Sequence, residues 1–260
     1  MPLFVDQLNR EIEIPALPKR IISIVPSQTE LLFYLGLEDV IIGITNFCVH
    51  PADKAKAVIK VGGTKKLNID LIKTLKPDLI IANKEENDKN QVEELMEYFP
   101  VWISDINDLP GALEMIIDIG HVTDRQTASQ KLANEISQLF QKLAVSPVKR
   151  RVAYLIWRKP YMVAGSGTFI NSMLQFCGLS NVFEIDRYPE VSAEMLINAK
   201  PDVVLLSSEP YPFGDKHIEE FKAVLPDSRV MLVDGEMFSW YGSRLLYAPG
   251  YFNELLISLG

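Results

Sequence analysis

The sequence predicts an α/β protein: two similar lobes with parallel-rich sheets, joined by one long backbone helix and separated by a cleft. Three observations predict it. Short aliphatic, β-branched runs alternate with amphipathic segments in both halves of the chain. One phrase is written twice: IDLIKTLKPDLIIANKEE begins at Ile69, and AEMLINAKPDVVLLSSEP begins at Ala193, 124 positions on. Between the two, Leu109 to Leu143 carries helical periodicity and no strand candidate. The expected divisions are an N-terminal lobe over 1–123, a linker helix over 124–146 and a C-terminal lobe over 147–260.

The first lobe starts with a buried strand, RIISIV (Arg20–Val25), followed by a helix from Thr29 that stops at Gly36. VIIGI (Val40–Ile44) is the next strand. Asn68 caps a helix through Leu75, DLIIA (Asp78–Ala82) is a strand, Asp88 to Tyr98 a helix, and VWIS (Val101–Ser104) closes the series. Single helices between strands imply crossover connections and a parallel sheet. The helical stretch breaks near Gly120–Asp124, and its second part, Asp124 to Val145, spans about 22 residues, or roughly 33 Å, before Ser146-Pro147 ends it. In the second lobe VAYLIW (Val152–Trp157) and YMVAG (Tyr161–Gly165) pair across Arg158-Lys159-Pro160. A helix over Thr168–Cys177 follows, then one starting at Ser192, strands DVVLL (Asp202–Leu206) and VMLVD (Val230–Asp234), and a final helix from Ser243 to about Leu259.

In each copy of the duplicated phrase a capped helix is stopped by the proline of KPD, because a residue before proline avoids the helical region. Asp70 and Glu194 therefore occupy the same second position of corresponding helices. Two readings stay open at this stage. First-turn acids are favoured by the free N–H groups there, typically by ~0.3–1 kcal/mol; alternatively, one exposed carboxylate per lobe makes a matched pair of docking points.

Composition narrows the function classes. The chain has 260 residues, 48% hydrophobic and 23% charged, with a net charge of −8. Its densest basic run is only Lys149-Arg150-Arg151, so nucleic-acid binding is not expected. No apolar run reaches the ~18 residues of a membrane span, so no membrane insertion is expected. The start lacks a signal-peptide pattern and the two cysteines, Cys48 and Cys177, suggest free thiols. The expectation is a cytoplasmic monomer for the chain as written, or a periplasmic protein should the sequence be a mature form. Nucleophile elbows, phosphate loops and HExxH are absent, so no catalytic residue is nominated and the protein is not expected to be an enzyme.

Aromatic and cationic residues gather at strand ends: Trp157, Arg158 and Tyr161 around one turn, Tyr188 before Pro189, and Trp240, Tyr241 and Arg244 in GEMFSWYGSR. Ligands of open α/β sheets collect outside the carboxyl ends of the strands. Trp240, Tyr241 and Arg244 are thus expected at the mouth of the cleft, suiting a large planar ligand, with Arg158 and Arg244 addressing its carboxylate, phosphate or amide periphery. On the first lobe Phe47, Cys48, His50 and Thr64 follow strand ends. Cys48 and His50 could address one metal ion, although two ligands are too few for a structural site.

These segments, in order, are similar to a known pattern. RIISIVPSQTELLFYLG, VGGTKKLNIDLIKTLKPDLIIANKEEN, PYMVAGSGTFINSMLQFCGLSNVF and RYPEVSAEMLINAKPDVVLL, with the long helix between the halves, resemble the helical-backbone substrate-binding proteins of ABC importers. Within that class, which serves vitamin B12, haem and iron-siderophores, the resemblance is greatest to cobalamin binders. It implies a metal chelate as bound ligand, no required cofactor, and permease arginines that pair with Asp70 and Glu194. It also implies ligand contacts near His50, Thr64 and Tyr188, with Thr64 standing where the cobalamin binders carry an aromatic residue; Phe47 is nominated as a ligand contact by its place after a strand end. The competing expectation is a cytoplasmic metal or corrinoid carrier, or a metalloenzyme, that reuses the frame with Cys48, His50 and Glu85.

Overall fold

Two β-sheets, one parallel and one mixed, organise the chain. In the computed structural model, which describes residues 2–15, 17–143, 145 and 148–260, they belong to two compact units. The first comprises Met1–Ile106, Pro110–Ser137 and Tyr241–Arg244; the second comprises Asn107–Leu109, Gln138–Trp240 and Leu245–Gly260.

The first unit opens with an antiparallel hairpin, β1 (Leu3–Val5) and β2 (Glu11–Glu13). Then come β3 (Ile21–Ser23), α1 (Pro26–Tyr34), β4 (Ile41–Ile44), the short α2 (Ala52–Ala55), and a small hairpin of β5 (Gly62–Gly63) and β6 (Lys66–Leu67). Next are α3 (Ile69–Leu75), β7 (Leu79–Asn83), α4 (Lys89–Met96), β8 (Val101–Ser104), α5 (Leu109–Val122) and α6 (Gln126–Gln141), of which Leu109 and the last turn of α6 are counted with the second unit. The sheet order is β4-β3-β7-β8, all parallel. Ile22, Ile24, Ile80, Ala82 and Val101 form its core against Ile72, Val92 and Leu95 of the helices. Strands buried on both faces need continuous aliphatic runs, which is why IIS, LIIAN and VWIS carry almost no charge.

The second unit contains β9 (Arg151–Trp157), β10 (Tyr161–Val163), α7 (Phe169–Phe176), β11 (Ser180–Asn181), β12 (Glu190–Val191) and α8 (Ala193–Ala199). It continues with β13 (Val203–Ser207), α9 (Asp215–Val224), β14 (Arg229–Val233), α10 (Gly235–Ser239) and α11 (Ala248–Leu259); of the 3-10 turn at Ser243–Leu246, Ser243 and Arg244 are counted with the first unit. The sheet runs β12-β10-β9-β13-β14, with β11 on β9; β9, β13 and β14 are parallel, and β10 is antiparallel to β9 and β12. The expected β9–β10 pairing across Arg158-Lys159-Pro160 is therefore present.

The KPD phrase acts as the same staple in both units. Asn68 and Ser192 cap their helices by accepting from the backbone N–H groups of Leu71 and Met195 at 3.1 Å each. Lys76 and Lys200 end them in the left-handed region, at φ 48° and 46°. Arg20, ahead of β3, donates to the carbonyls of Leu75 and Lys76, and Arg151, at the start of β9, donates to those of Ala199 and Lys200. The Asp of KPD completes the loop: Asp78 accepts from Arg20 N–H at 2.9 Å and Asp202 from Arg151 N–H at 2.7 Å. Otherwise orphaned helix-end carbonyls are thus tied to the arginine at or just before the start of the neighbouring strand.

Three elements differ from expectation. Helix α1 begins at Pro26, earlier than Thr29, because proline suits the first helical position, where no N–H partner is needed. Helix α6 is 16 residues, not about 22: Asp124 at φ 55° keeps the preceding turn out of it, and it ends at Gln141. The expected stop at Ser146-Pro147 lies outside the described residues. The N-terminal stretch, to which the sequence reading assigned no element, is fixed by buried Asp6, whose carboxylate accepts from the N–H groups of Leu8, Arg10 and Ile103 and pairs with the Arg10 guanidinium.

Candidate functional site

In the first unit the carboxyl ends of the parallel strands carry three loops. The loop after β7 is shaped by buried amides. Asn83 accepts from the N–H groups of Glu85 and Glu86 at 2.8 and 3.0 Å, and Asn87 donates to the carbonyls of Ile24 and Thr64 at 3.0 and 3.2 Å. Lys65, in the two-residue turn with Thr64, donates to the carbonyls of Glu85 and Asn87. The small hairpin and the loop after β7 therefore form one braced shelf. Phe47, in the loop after β4, is 60% exposed and covers Gly63, where an added Cβ would stand 3.2 Å from its ring. Beneath, Thr29, Ser23, Thr45 and Cys48 make a buried hydroxyl–thiol network, and Gln28 reaches Ser104.

The surroundings of Cys48 do not favour the metal role considered from the sequence. Its sulfur is wholly buried, 3.1 Å from the hydroxyl oxygens of both Thr29 and Thr45, and burial pushes the thiol up, away from the thiolate a metal requires. His50 is half-buried beside Pro51, and no group of three metal-capable side chains occurs among the described residues.

Residues Tyr241–Arg244 also belong to this unit, and they are placed differently from the open position expected of them. Tyr241 is only 5% exposed and its hydroxyl donates to Glu86 at 2.8 Å. Arg244 forks onto Glu30 of α1 through Nε at 3.1 Å and Nη2 at 2.6 Å, with both side chains largely buried. The expectation of Tyr241 and Arg244 as open walls is corrected by these carboxylates, which draw their polar ends inward.

In the second unit, Trp157 at the end of β9 is 39% exposed, and its ring lies edge-to-face with Tyr211, centroids 5.5 Å apart. Tyr211 continues onto Phe213 at 4.7 Å and shares a 3.2 Å hydrogen bond with His217 Nε2. The other ring nitrogen, Nδ1, accepts from Gly214 N–H at 2.9 Å, so Nε2 holds the proton of a neutral ring and donates it to Tyr211. Arg158 pairs with Glu220 of α9 at 2.7 Å, and Tyr161 donates to the same carboxylate at 3.3 Å. Trp157, Arg158 and Tyr161 are thus brought together. Tyr188 lies in the half-buried bend before β12.

Trp240 is 7% exposed, and its indole N–H donates to Glu209 at 2.9 Å, on the oxygen that also accepts from the Ser239 hydroxyl at 2.6 Å. Burial, with Glu236 and Asp234 nearby, raises the Glu209 carboxyl above its usual range, opposed by these two donors. The expected open Trp240 is therefore corrected to a packed one. Gly235 permits this closeness, since a Cβ there would fall 2.4 Å from the Ser207 hydroxyl.

Sequence reasoning missed the carboxylates Glu30, Glu209 and Glu220 as site partners, and it missed the pairing of Glu86 with Tyr241. Each answers a nominated aromatic or cation from a distant stretch of chain, so spacing carried no trace of them. The docking candidates Asp70 and Glu194 are both exposed in the first turns of α3 and α8.

Comparisons with known proteins join this geometry. The periplasmic binding protein family matches residues 21–225. A vitamin B12-binding protein of Pectobacterium carotovorum is 26% identical over 252 residues, covering 94% of this chain and 90% of that protein. Among solved structures, the periplasmic vitamin B12 binding protein of Vibrio cholerae superposes with a TM-score of 0.81 at 24% identity, over 94% of this chain and 98% of that one. The periplasmic heme binding protein of the same organism gives a TM-score of 0.77 at 22% identity, over 91% and 98%. These relatives overturn the cytoplasmic expectation and point to a location outside the cytoplasm.

Proposed function

The chain belongs to the periplasmic binding protein family, and from that premise we propose that it binds cobalamin or a related metal chelate and delivers it to an ABC permease without catalysing a reaction. The observation that carries the ligand reading is the ring shelf at the end of β9. Trp157 and Tyr211 offer a half-exposed aromatic surface fixed from behind by Phe213 and His217, which suits a broad planar chelate. The first unit carries an exposed aromatic of its own, Phe47, on a glycine-backed loop. His50, Thr64 and Tyr188 complete the proposed contacts.

Two features support delivery. Asp70 and Glu194 stand at the same position of helices held by the same staple, so their carboxylates are presented by matching rigid supports. Exposed ion pairs add modest energy but set register and association rate, which suits a carrier that must dock and leave.

Titration of the purified protein with cobalamin, haemin and a ferric chelate, followed by tryptophan fluorescence, tests the binding. Saturable quenching that is lost in Trp157→Ala is expected; no response to any of the three refutes the reading. Delivery is tested separately. Asp70→Lys with Glu194→Lys abolishes permease-coupled uptake and leaves chelate affinity within about threefold, as expected of rim charges. Loss of chelate binding in that variant would remove the docking role.

A further inference from the structure

Arg158 looks, from sequence, like an anion receptor beside the aromatic shelf. Its surroundings contradict that. The guanidinium meets Glu220 as a fork: Nε donates to Oε2 at 2.9 Å and more weakly to Oε1 at 3.3 Å, and Nη2 lies 2.7 Å from Oε2. The Tyr161 hydroxyl takes the remaining approach to Oε1 at 3.3 Å. Both charged side chains stay partly accessible, at 28% and 27%, so the pair faces a ligand as a neutral unit and not as a hidden strut. Hydrogen bonding to Arg158 holds the Glu220 carboxyl below its usual range, and the same bond raises the Arg158 guanidinium, so neither partner loses its charge near neutral pH. Arg244, the other arginine expected to meet an anionic periphery, is filled in the same way by Glu30.

We propose that Glu220 is a specificity determinant: by occupying the fork of Arg158 it removes the anion receptor beside Trp157. The site then favours chelates with a neutral, amide-type periphery over chelates that bear carboxylates. This rests on the chelate-binding reading above. A carboxylate arriving at Arg158 must displace Glu220 or lie against it, and like charges at contact are a strong source of discrimination. A carboxamide meets no such conflict. Its oxygen can accept from a guanidinium N–H outside the fork and its NH2 can donate to a Glu220 oxygen.

The test compares cobalamin, with its amide periphery, and haemin, with two carboxylates, by fluorescence titration of the wild-type chain, Glu220→Gln, Arg158→Gln and the double variant. Thermal midpoints confirm that each is folded. In the wild type cobalamin is expected to bind at least about tenfold tighter than haemin. Glu220→Gln is expected to shift the haemin-to-cobalamin affinity ratio toward haemin by about tenfold, with the shift strongest at low salt and cancelled in the double variant. Arg158→Gln, which never frees a cation, should give no shift toward haemin, and it keeps the comparison decisive should Glu220→Gln fail to fold. Wild-type protein that prefers haemin, a folded Glu220→Gln with an unchanged ratio, or a haemin gain in Arg158→Gln each overturns the assignment while leaving chelate binding intact. Wild-type protein that binds neither chelate overturns the binding function itself, and the assignment with it.

Discussion

Lys73 of α3 reaches Glu94 of α4 at 2.8 Å and stands 4.0 Å from the centre of the Tyr98 ring. At the equivalent place in the second copy of the phrase, α8 shows Ile197 to solvent, with exposed Met195 two residues before it. Beneath these surfaces the copies match residue for residue: cap, left-handed lysine, KPD aspartate and capping arginine. The difference separates two kinds of constraint. The parts that terminate a helix and hand the chain to a buried strand leave backbone groups unsatisfied if altered, so both copies keep the same solution. The outer helix faces carry no such demand, and one has become a charged lateral tie while the other is apolar.

The severest way to test this equivalence is to hollow the two cores. Ile72 and Leu196 are each fully buried at corresponding sites. Ile72→Ala and Leu196→Ala should each cost about 2–5 kcal/mol in urea unfolding. Values that agree within about 1 kcal/mol would show that the copies are energetically equivalent, whereas a larger gap would show that one site collapses more readily.

A smaller effect probes a burden carried by α5 in the first unit. The Asp118 carboxyl is pushed up to about 6, mainly by burial and then by Glu114, against an ordinary value of 3.8. The folded chain therefore keeps this proton where the unfolded chain has released it, and stability falls as pH rises from about 4 to about 6. Asp118→Asn should stabilise the protein at pH 7.5 by about 1–2 kcal/mol, after allowance for its partial exposure, and the gain should vanish below about pH 4. Denaturant midpoints across a pH series check both the sign and the window.

The smallest effect lies in the staples. Asp78→Ala and Asp202→Ala each remove the acceptor of one strand-start N–H and should cost about 1 kcal/mol apiece. Equal losses in hydrogen-exchange protection at Arg20 and Arg151 would support a shared device; a change at only one would break the comparison.

Much of this was legible in the sequence because it is written locally. The aliphatic runs of β3, β7, β9 and β13, the caps Asn68, Asp88, Thr168 and Ser192, and the duplicated KPD each depend on neighbours within a few positions. The hairpins were harder. β1 and β2 have only three residues each, and the first is positioned by Asp6 reaching Ile103, a contact 97 residues away. Helix α9 begins at Asp215 behind an N-cap glycine, Gly214, that has no side chain to cap it, so little in the sequence marked its start. At the candidate site, residue types were readable and their partners were not. Trp240, Tyr241, Arg158 and Arg244 read as open ligand walls until Glu209, Glu86, Glu220 and Glu30 are seen to hold them.

The four residues Tyr241–Arg244 have a consequence for biosynthesis. They complete the first unit, yet they leave the ribosome more than a hundred residues after its other segments. Until they emerge, Glu30 of α1 lacks the guanidinium that neutralises it in the finished fold. The N-terminal unit cannot reach its final form as an early, self-sufficient translation product, and a polypeptide cut once after Ser137 would release a half still waiting for its last piece.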